Sequence, residues 1–304
     1  MPSTSDLYQS VTNQIIAALE AGTPPWICPW QRVDEDAAPA NITTGKPYRG
    51  VNVLLLNMQL MGRGFARNRW LTFNQALSLG GLVRRGEHGT PIVFFKMHEV
   101  AADAQRATSE ARGEHRVVPM LRSFTVFNVD QVDHLPAAMQ STEPTAQAWD
   151  SDVVADSLLD SSGARIQHGG SRAFYRPGDD VIQLPSAAAF ESASDYYGVA
   201  LHELTHWTAH PDRCNRQLSG RASIDAYAFE ELIAEMGSAF LTNHCRLPGQ
   251  LQHASYIASW LAALRNDKRL IFTAASQAQK AADFLLASGS QEPALSAAAD
   301  ALAA

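Results

Sequence analysis

The chain contains 304 residues, of which 46% are hydrophobic and 18% charged. This length is enough for about two domains, each with its own core, and no segment has the roughly 20 consecutive apolar residues of a transmembrane helix. Residues 1–20 lack a basic segment followed by an apolar one, so we do not expect a secretory signal. Three widely spaced cysteines, at positions 28, 214 and 245, predict reduced thiols in a cytoplasmic protein rather than a disulfide framework or a cysteine zinc site.

Charge is distributed unevenly along the chain, whose net charge is −7. Residues 1–135 contain 13 basic and 12 acidic residues, a net charge of +1, whereas the remainder contains 11 basic and 19 acidic residues, a net charge of −8. Between Lys46 and Lys96 there are eight basic residues and a single acidic one, Glu87. Such an asymmetry is typical of a half that binds a polyanion joined to a half with a different task.

Residue patterns in the first half of the sequence predict a mixture of helices and strands. Apolar residues recur every four positions across residues 5–20, which predicts an amphipathic helix, and the apolar run 51–61 predicts a buried one. A strand end or turn within 70–79 is expected to lead into a short helix capped at Thr72. Segments rich in β-branched and aromatic residues predict strands at 91–97 and 123–129.

Two segments without periodicity separate these elements from the second half. The charged segment 101–116 predicts a long, mobile hairpin excursion, and the Pro, Ser and Thr content of 136–148 predicts a linker. After the linker we expect strands at 165–168, 173–176 and 181–184, and helices at 149–160, 196–209, 227–244 and 253–288, the last broken near Asn266-Asp267. The prediction is an α+β protein with a small first domain at 1–135 and a second domain at 149–304.

Residues 201–207, LHELTHW, contain the residue types of a metallopeptidase site. On a helix, His202 and His206 lie four positions apart on one face, so both imidazoles can reach one metal ion. Glu203 can approach a metal-bound water without coordinating the metal. A zinc ion lowers the pKa of such a water to about 7, and the glutamate takes its proton. The motif predicts Glu203 as the catalytic residue and one divalent metal ion, Zn²⁺ first, with Mn²⁺ or another ion as alternatives.

A third protein ligand is needed, and the candidates lie downstream. The glycine and third histidine of the long-spacer pattern are replaced by Ala209 and Asp212, which leaves Asp212 open as an aspartate variant. Residues 229–240 place Glu231 and Glu235 one helical turn apart in an apolar run, where buried carboxylates need a partner. We expect Glu231 to bind the metal and Glu235 to accept a hydrogen bond from a metal-binding histidine. The spacing resembles the E-x-x-x-D of gluzincin metallopeptidases; the alternative is a solvated helix face that carries these carboxylates.

The interval from Trp26 to Lys96 combines basic and aromatic residues. Single-stranded nucleic acid is bound by basic grooves with aromatic side chains on which bases stack, at about 1–3 kcal/mol per base. Nothing here resembles a helix-turn-helix or a zinc finger, so we expect weak sequence preference and strong salt dependence. The alternative is that the aromatic residues are core and the arginines coat an ordinary surface. The candidate DNA-contacting residues are Trp26, Trp30, Lys46, Tyr48, Arg49, Arg63, Arg67, Arg69, Trp70, Arg84, Arg85 and Lys96.

Segments along nearly the whole chain resemble the ArdC-type antirestriction proteins of conjugative plasmids and related mobile elements. In the first half these are TPPWICPW at 23–30, TGKPYRGVNVLLL at 44–56, the W-x-T-F-x-Q-A run at 70–76, the R-x-G-E-x-G-T run at 84–90 and VFNVDQ at 126–131. In the second half they are HELTHWTAH at 202–210, YAFEELIAEMGSAFL at 227–241 and NDKRLIFTAASQAQKAADFL at 266–285. One departure from the gluzincin pattern is Glu235, which stands where aspartate is common.

The resemblance implies an N-terminal single-stranded-DNA-binding domain, also found at the head of plasmid primases, followed by a zincin-like, gluzincin-like metallopeptidase domain. It implies protection of incoming plasmid DNA from restriction in the recipient cell, especially by type I systems, and metal-site roles for His202, Glu203, His206 and Glu231. The partners we expect are single-stranded DNA and, as a target, a host restriction protein, with no membrane. Two alternatives stay open: a general metallopeptidase whose basic half recognises a host protein, and a DNA-binding shield whose metal site only holds the fold together.

Overall fold

A computed structural model of the chain describes residues 4–26, 38–101, 115–136, 139, 151–216, 224–247 and 256–289. The chain folds into two compact units. The first comprises Met1–Gln147 with His253–Ser276, and the second comprises Ala148–Gln252 with Gln277–Ala304. Both helices and sheets are present, which confirms the predicted α+β class with two domains.

The elements follow in chain order. The helices are α1 (Thr4–Glu20), α2 (Val51–Arg63), α3 (Phe73–Ser78), α4 (Ser151–Ser161), α5 (Ala193–Trp207), α6 (Ile224–Cys245), α7 (Ile257–Asn266) and α8 (Leu270–Gly289). The strands are β1 (Ala40–Asn41), β2 (Arg69–Thr72), β3 (Leu82–Val83), β4 (Thr90–Ala101), β5 (His115–Asn128), β6 (Val132–Asp133), β7 (Arg165–His168), β8 (Phe174–Arg176) and β9 (Val181–Leu184). No described helix combines the length and the apolar character needed to cross a membrane.

A four-stranded sheet, in the order β1-β2-β5-β4, forms the centre of the first unit. Strands β1 and β2 are parallel, and the other neighbours are antiparallel. The long pairing of β4 with β5 leaves β4 at the edge of the sheet. There Asn52 of α2 exchanges two hydrogen bonds with the backbone of Val93, at 2.8 and 2.9 Å. These bonds satisfy edge groups that would otherwise be open to another chain.

The first core forms where α2 crosses this sheet. Leu56 and Leu60 of α2 pack on Trp70, Ile92 and Val126 of three neighbouring strands, and all five are nearly inaccessible to solvent. The spacing of four between the two leucines places both on the helix face that meets the sheet. The predicted helix at 51–61 is therefore a buried core helix.

The predicted cap of the short helix α3 is confirmed. The Thr72 hydroxyl accepts a hydrogen bond from the backbone N–H of Gln75 at 3.2 Å, and the Gln75 side chain accepts one from the Thr72 backbone N–H at 2.8 Å. This reciprocal capping box satisfies two helix N-terminal donors that have no intrahelical acceptor. It explains why a strand at Arg69–Thr72 can turn directly into a helix.

The second domain does not coincide with the predicted range 149–304, because His253–Ser276 belongs to the first unit. Trp260 of α7 packs edge-on against Trp26 with ring centroids 5.6 Å apart, and Phe272 packs against Tyr8 of α1 at 4.6 Å. The Thr12 hydroxyl also donates to the Lys268 carbonyl at 2.8 Å. The long predicted helix is two helices, and its predicted break at Asn266-Asp267 is confirmed.

The second unit packs helices on a three-stranded sheet in the order β7-β9-β8. Strand β7 is parallel to β9, and β8 is antiparallel to it. The strands at 165–168 and 181–184 have the predicted bounds. Ile182 and Leu184 of the central strand meet Leu201 and Leu204 of α5, and all four are fully buried. The helix with the LHELTHW segment is thus held by the sheet along its apolar side.

Several predicted features lie outside the described residues. They are residues 102–114 of the predicted hairpin excursion, most of the predicted linker, Trp30, and Cys28. The described strands β4 and β5 reach Ala101 and His115, so the hairpin is longer than the two strands predicted at 91–97 and 123–129.

Candidate metal centre

Helix α5 brings the two motif histidines together. Ser192 caps the helix by accepting a hydrogen bond from the backbone N–H of Asp195 at 3.2 Å. Two turns later the Nε2 atoms of His202 and His206 lie 3.2 Å apart. His202 is 2% exposed, whereas the His206 side chain is 12% exposed. The helical spacing of four therefore aims both rings at one point, as the sequence predicts.

Helix α6 supplies a carboxylate at the same point. The Glu231 oxygens lie 3.4 Å from Nε2 of His202 and 3.6 Å from Nε2 of His206. Within the described parts of the chain, His202, His206 and Glu231 form a group whose candidate ligand atoms all lie within 4.8 Å of one another. Ligands about 2.1 Å from a tetrahedral ion are separated by about 3.4 Å. Both the donor set and its spacing therefore fit a divalent metal ion.

Small residues allow α5 and α6 to approach this closely. Gly237 of α6 lies against Thr205 of α5, where a Cβ atom on the glycine would come within 2.5 Å of the threonine methyl group. One residue later, the Ser238 hydroxyl donates to the carbonyl of Gly198 at 3.1 Å. Because Glu231 and Gly237 share one helix, this contact sets the distance between the carboxylate and the histidines.

A buried ion pair holds the second histidine. The Glu230 carboxylate accepts a hydrogen bond from Nδ1 of His206 at 3.2 Å. Arg216 donates to the same carboxylate from Nε at 3.1 Å and from Nη2 at 2.8 Å. Arg216 also donates to the Thr205 carbonyl and the Thr208 hydroxyl, both at 2.8 Å, and so satisfies the C-terminal turn of α5. The bond from Nδ1 leaves Nε2 of His206 directed at the candidate metal position.

The surrounding charges shift the pKa values of these groups. Burial lowers the pKa of His206, but hydrogen bonds to Glu230 and Glu231 and the charge of Glu203 outweigh it and raise the pKa to about 10. Burial raises the pKa of Glu231, but the two histidines more than offset it and hold the pKa well below its usual value. Burial also raises the pKa of Glu230, but the hydrogen bonds to His206 and Arg216 outweigh this effect and lower the pKa below its usual value.

The other predicted members of the site are placed differently. Glu203 is 7% exposed, and its negative charge contributes to the raised pKa of His206. Glu235 is buried, with Oε1 4.0 Å from Nδ1 of His202, which is beyond direct hydrogen-bonding distance. The Asp212 side chain is 87% exposed and lies beside His210, outside the group of ligands. The alternative of a solvated carboxylate face is wrong, because the three glutamates of α6 are 4–8% exposed.

The predicted DNA-contacting residues divide into three sets. Trp26 and Trp70 are 2% and 0% exposed, so the expectation that their rings stack on bases does not fit; they are core residues because α2 and α7 cover them. A second set is exposed or half-buried, and three of its arginines bond to carboxylates: Arg63 and Arg84 to Glu87, and Arg67 to Asp130. In the same set Lys46, Arg49 and Arg85 are exposed, and Tyr48 and Arg69 are half-buried. Trp30 and the Lys96 side chain lie outside the described residues.

Sequence reasoning missed Arg216 and the role of Glu230. The available signal was charge in an apolar run: three carboxylates on α6 need more than one cationic partner when they are buried. A single metal ion accounts for one of them. The arginine that serves another lies before residues 217–223, which are outside the described structure, and its pairing cannot be inferred from spacing.

Two family models match the chain. The model described as the N-terminal domain of anti-restriction factor ArdC matches residues 5–127. The model described as a zincin-like metallopeptidase matches residues 153–277. The second match contains all three candidate ligands and Glu203.

Among curated proteins, the chain is similar to DNA primase TraC of Escherichia coli, with 42% identity over 295 residues. This match covers 92% of the chain and 27% of the primase, so the chain spans about a quarter of that relative's length. It is also 42% identical over 286 residues to a Sinorhizobium fredii protein named y4eC, with 92% of each chain covered.

Solved structures of similar length are also related. The chain is 42% identical to the metal-free crystal structure of the antirestriction ArdC protein from plasmid R388, with a TM-score of 0.79. That match covers 93% of this chain and 98% of the other. The Mn(II)-bound structure of the same protein matches at 39% identity with a TM-score of 0.77, covering 94% and 99% of the two chains.

Proposed function

The chain belongs to the ArdC antirestriction family, and from this premise we propose that it protects incoming plasmid DNA from host restriction by combining two activities. Its first unit binds single-stranded DNA without sequence preference. Its second unit carries a divalent-metal-dependent peptidase site. The observation that carries the second activity is the convergence of His202, His206 and Glu231 on one point.

In this proposal His202, His206 and Glu231 hold the ion and Glu203 is the catalytic residue. Bound there, a zinc ion would supply Lewis-acid chemistry: it would lower the pKa of a water to about 7 and polarise a carbonyl. Glu203 accepts the proton of the attacking water and returns it to the leaving amine. Three protein ligands are the number typical of catalytic zinc sites, whereas structural sites use four. A Mn(II)-bound relative supports a divalent ion and keeps manganese as the alternative.

Metal analysis and two glutamate variants test the site. We expect the purified full chain to bind one Zn²⁺ or Mn²⁺ per molecule and Glu231→Gln to lose most of this affinity, because a neutral amide replaces a ligand. Glu203→Gln should keep the metal and lose any peptide hydrolysis. A full metal content in Glu231→Gln would contradict the ligand assignment.

The proposed DNA activity is supported by the match of residues 5–127 to the ArdC N-terminal domain and by exposed cations such as Lys46, Arg49 and Arg85. We expect the full chain to bind a labelled oligothymidylate and a mixed-sequence single strand with similar affinity. The logarithm of the affinity should fall linearly with the logarithm of the salt concentration as counterions are released. Binding that ignores salt would contradict the proposal.

A second candidate function is a DNA-binding shield whose metal only stabilises the fold. The burial of His202 and Glu231 favours it, since a closed site restricts access by a peptide. Antirestriction by Glu203→Gln separates the two candidates. Full protection by this variant would favour the shield, whereas lost protection with unchanged DNA binding would favour hydrolysis.

We propose a host restriction protein as the substrate of the peptidase site, because the family acts against restriction. Incubation of the metal-loaded chain with purified restriction subunits, followed by mass analysis, tests this. Cleavage of those subunits, absent with Glu203→Gln, would support it. A general metallopeptidase would instead cleave unrelated unfolded proteins equally well.

A further inference from the structure

We infer that one exposed face of the β4–β5 hairpin is a platform on which bases of single-stranded nucleic acid stack, formed by Phe94, Arg122 and Phe124. The sequence alone does not predict these three residues as DNA-contacting residues; it favours tryptophans instead. The inference rests on the proposed DNA binding of the first unit and identifies where the bases lie.

The register of the hairpin places the three side chains on the same face. Phe94 pairs directly with Arg122, and Phe124 pairs with Ile92, two residues before Phe94. Since side chains alternate along a strand, Ile92, Phe94, Arg122 and Phe124 all point to one side of the sheet. The two phenylalanine rings meet edge to face, with centroids 5.5 Å apart and planes at 78°.

This face changes from core to solvent within two residues. Ile92 and Val126 lie under α2 and are 2% and 0% exposed, whereas Phe94 and Phe124 are 45% and 49% exposed. Apolar rings on a sheet are normally placed on the buried side, because burying a ring stabilises the protein by about 1.5–3 kcal/mol. The rings thus lie beside a buried core while about half of each side chain is exposed, which is the pre-organised arrangement that stacking requires.

Charge around the platform favours a nucleic acid over an apolar protein surface. Arg122 is exposed directly opposite Phe94. Arg49 is also exposed, and its carbonyl accepts a hydrogen bond from the backbone N–H of Asn52, the residue that anchors α2 to Val93 at the edge of β4. A nucleotide offers the apolar face of its base and carries a phosphate, so rings beside the exposed Arg122 match both parts. An apolar protein surface would offer no negative charge to pair with the exposed arginine.

The test measures binding of fluorescein-labelled oligothymidylate to the full chain by anisotropy at two salt concentrations. We expect F94A/F124A to weaken binding at least tenfold, because each stacked base contributes substantially to affinity. F94Y/F124Y keeps both rings and should bind within about twofold of wild type. The slope of affinity against salt should stay unchanged in the alanine double variant, whereas R122A should reduce it by about 0.7, as expected for one lost phosphate contact.

Phe73→Ala is the matched control, because Phe73 is 48% exposed in the same unit but lies on α3. Unchanged binding by this variant, with unchanged thermal unfolding of all variants, would support the platform. Wild-type binding that F94A/F124A leaves intact would overturn the platform and leave the proposed DNA binding standing. A wild-type chain that binds no oligonucleotide would overturn both. An alanine double variant that unfolds early is replaced by F94S and F124S singly, whose affinities must each fall at least threefold.

Discussion

Arg216 and Glu230 form a buried, bidentate ion pair, and Glu230 is also hydrogen-bonded to the candidate metal ligand His206. Nε and Nη2 of the arginine donate to the two oxygens of the glutamate at 3.1 and 2.8 Å, and Oε1 of Glu230 accepts from His206. Such bidentate bonds fix both the position and the plane of a carboxylate. Arg216 thereby orients a histidine that it does not touch.

We predict that breaking this pair weakens metal binding without removing a ligand. Glu230→Gln keeps the shape of the side chain but loses the charge that holds the His206 N–H, and Arg216→Met frees the carboxylate. Partners of this kind typically contribute 10- to 100-fold to metal affinity. Isothermal titration of the metal-free protein with Mn²⁺ or Zn²⁺ at several pH values gives the affinity for the form with neutral His206, and this affinity should show a loss of this size in both variants.

Asp180→Asn is the matched control for that prediction. Asp180 pairs with Arg213 at 2.5 Å in the same unit, and Arg213 bonds further to the Trp207 carbonyl and the Tyr175 hydroxyl, not to a candidate ligand. The control should be destabilised and still bind metal normally. Equal losses of metal affinity in Asp180→Asn and Glu230→Gln would mean that general destabilisation, rather than orientation of His206, explains the effect.

Metal affinity and the stability of the metal-free protein should respond to pH in opposite directions. His206 has a pKa raised from 6.5 to about 10, so its proton stabilises the metal-free fold fully below pH 6.5, and this contribution is lost as the pH rises through 10. The metal must displace the same proton. Affinity for Mn²⁺ should therefore increase up to about tenfold per pH unit between pH 6.5 and 8.5, while the free energy of unfolding of the metal-free chain declines.

Titrations in two buffers with different heats of ionisation count the protons released. About one proton should leave per metal ion bound near pH 7.5. No proton release, or a metal affinity that is flat across this range, would show that His206 is already neutral in the metal-free protein. In Glu230→Gln the rise of affinity with pH should level off at lower pH, because a carboxylate that raises the pKa of His206 is gone.

The local part of the site could be predicted from sequence, and the long-range part only incompletely. His202 and His206 follow from helical periodicity, which fixes their separation whatever surrounds them. Glu231 was identifiable because a carboxylate in an apolar run needs a partner. Glu230 and Glu235 share that signal, so sequence could not tell which of them bonds a histidine; this depends on the rotation of α6 about its axis.

The same limit applies to the fold. Strands at 165–168 and 181–184 and the Thr72 cap are encoded by neighbouring residues and were predicted closely. The assignment of His253–Ser276 to the first unit depends on which element the apolar face of α7 packs against. The sequence around Trp260 predicts a buried helical residue but does not indicate in which domain it is buried. Trp26 and Trp70 show the same limit. An aromatic residue in a basic segment can be a binding residue or a core residue, and only its burial in the folded protein distinguishes the two.

Gly237→Ala should reduce metal affinity by spreading two helices. The added methyl group would lie 2.5 Å from the Thr205 methyl group and 3.0 Å from its hydroxyl, so α6 must move away from α5 and carry Glu231 with it. We expect at least a tenfold loss of metal affinity and a destabilisation of about 1–3 kcal/mol. Thr205→Ser in the same chain removes the nearest methyl group and should restore part of the affinity.

Gly62→Ala is the control for a glycine replaced within a helix. Gly62 lies in α2, and its added methyl group meets nothing within 4 Å. It should leave metal affinity unchanged and increase stability by up to about 1 kcal/mol, since alanine favours helix. If Gly237→Ala bound metal as tightly as Gly62→Ala does, close approach of α5 and α6 would not set the geometry of the site.

Trp260→Ala should destabilise the first unit although it lies late in the chain. Trp260 is 1% exposed and packs on Trp26, so its truncation leaves a large cavity and costs about 3–5 kcal/mol. Hydrogen exchange followed by mass spectrometry should show lost protection in α1 and in the β2–β5 pairing, with α5 and α6 protected as before. Metal affinity should stay within about twofold of wild type. Lost protection confined to α5 and α6 would instead assign residues 253–276 to the second domain, as the sequence alone predicts.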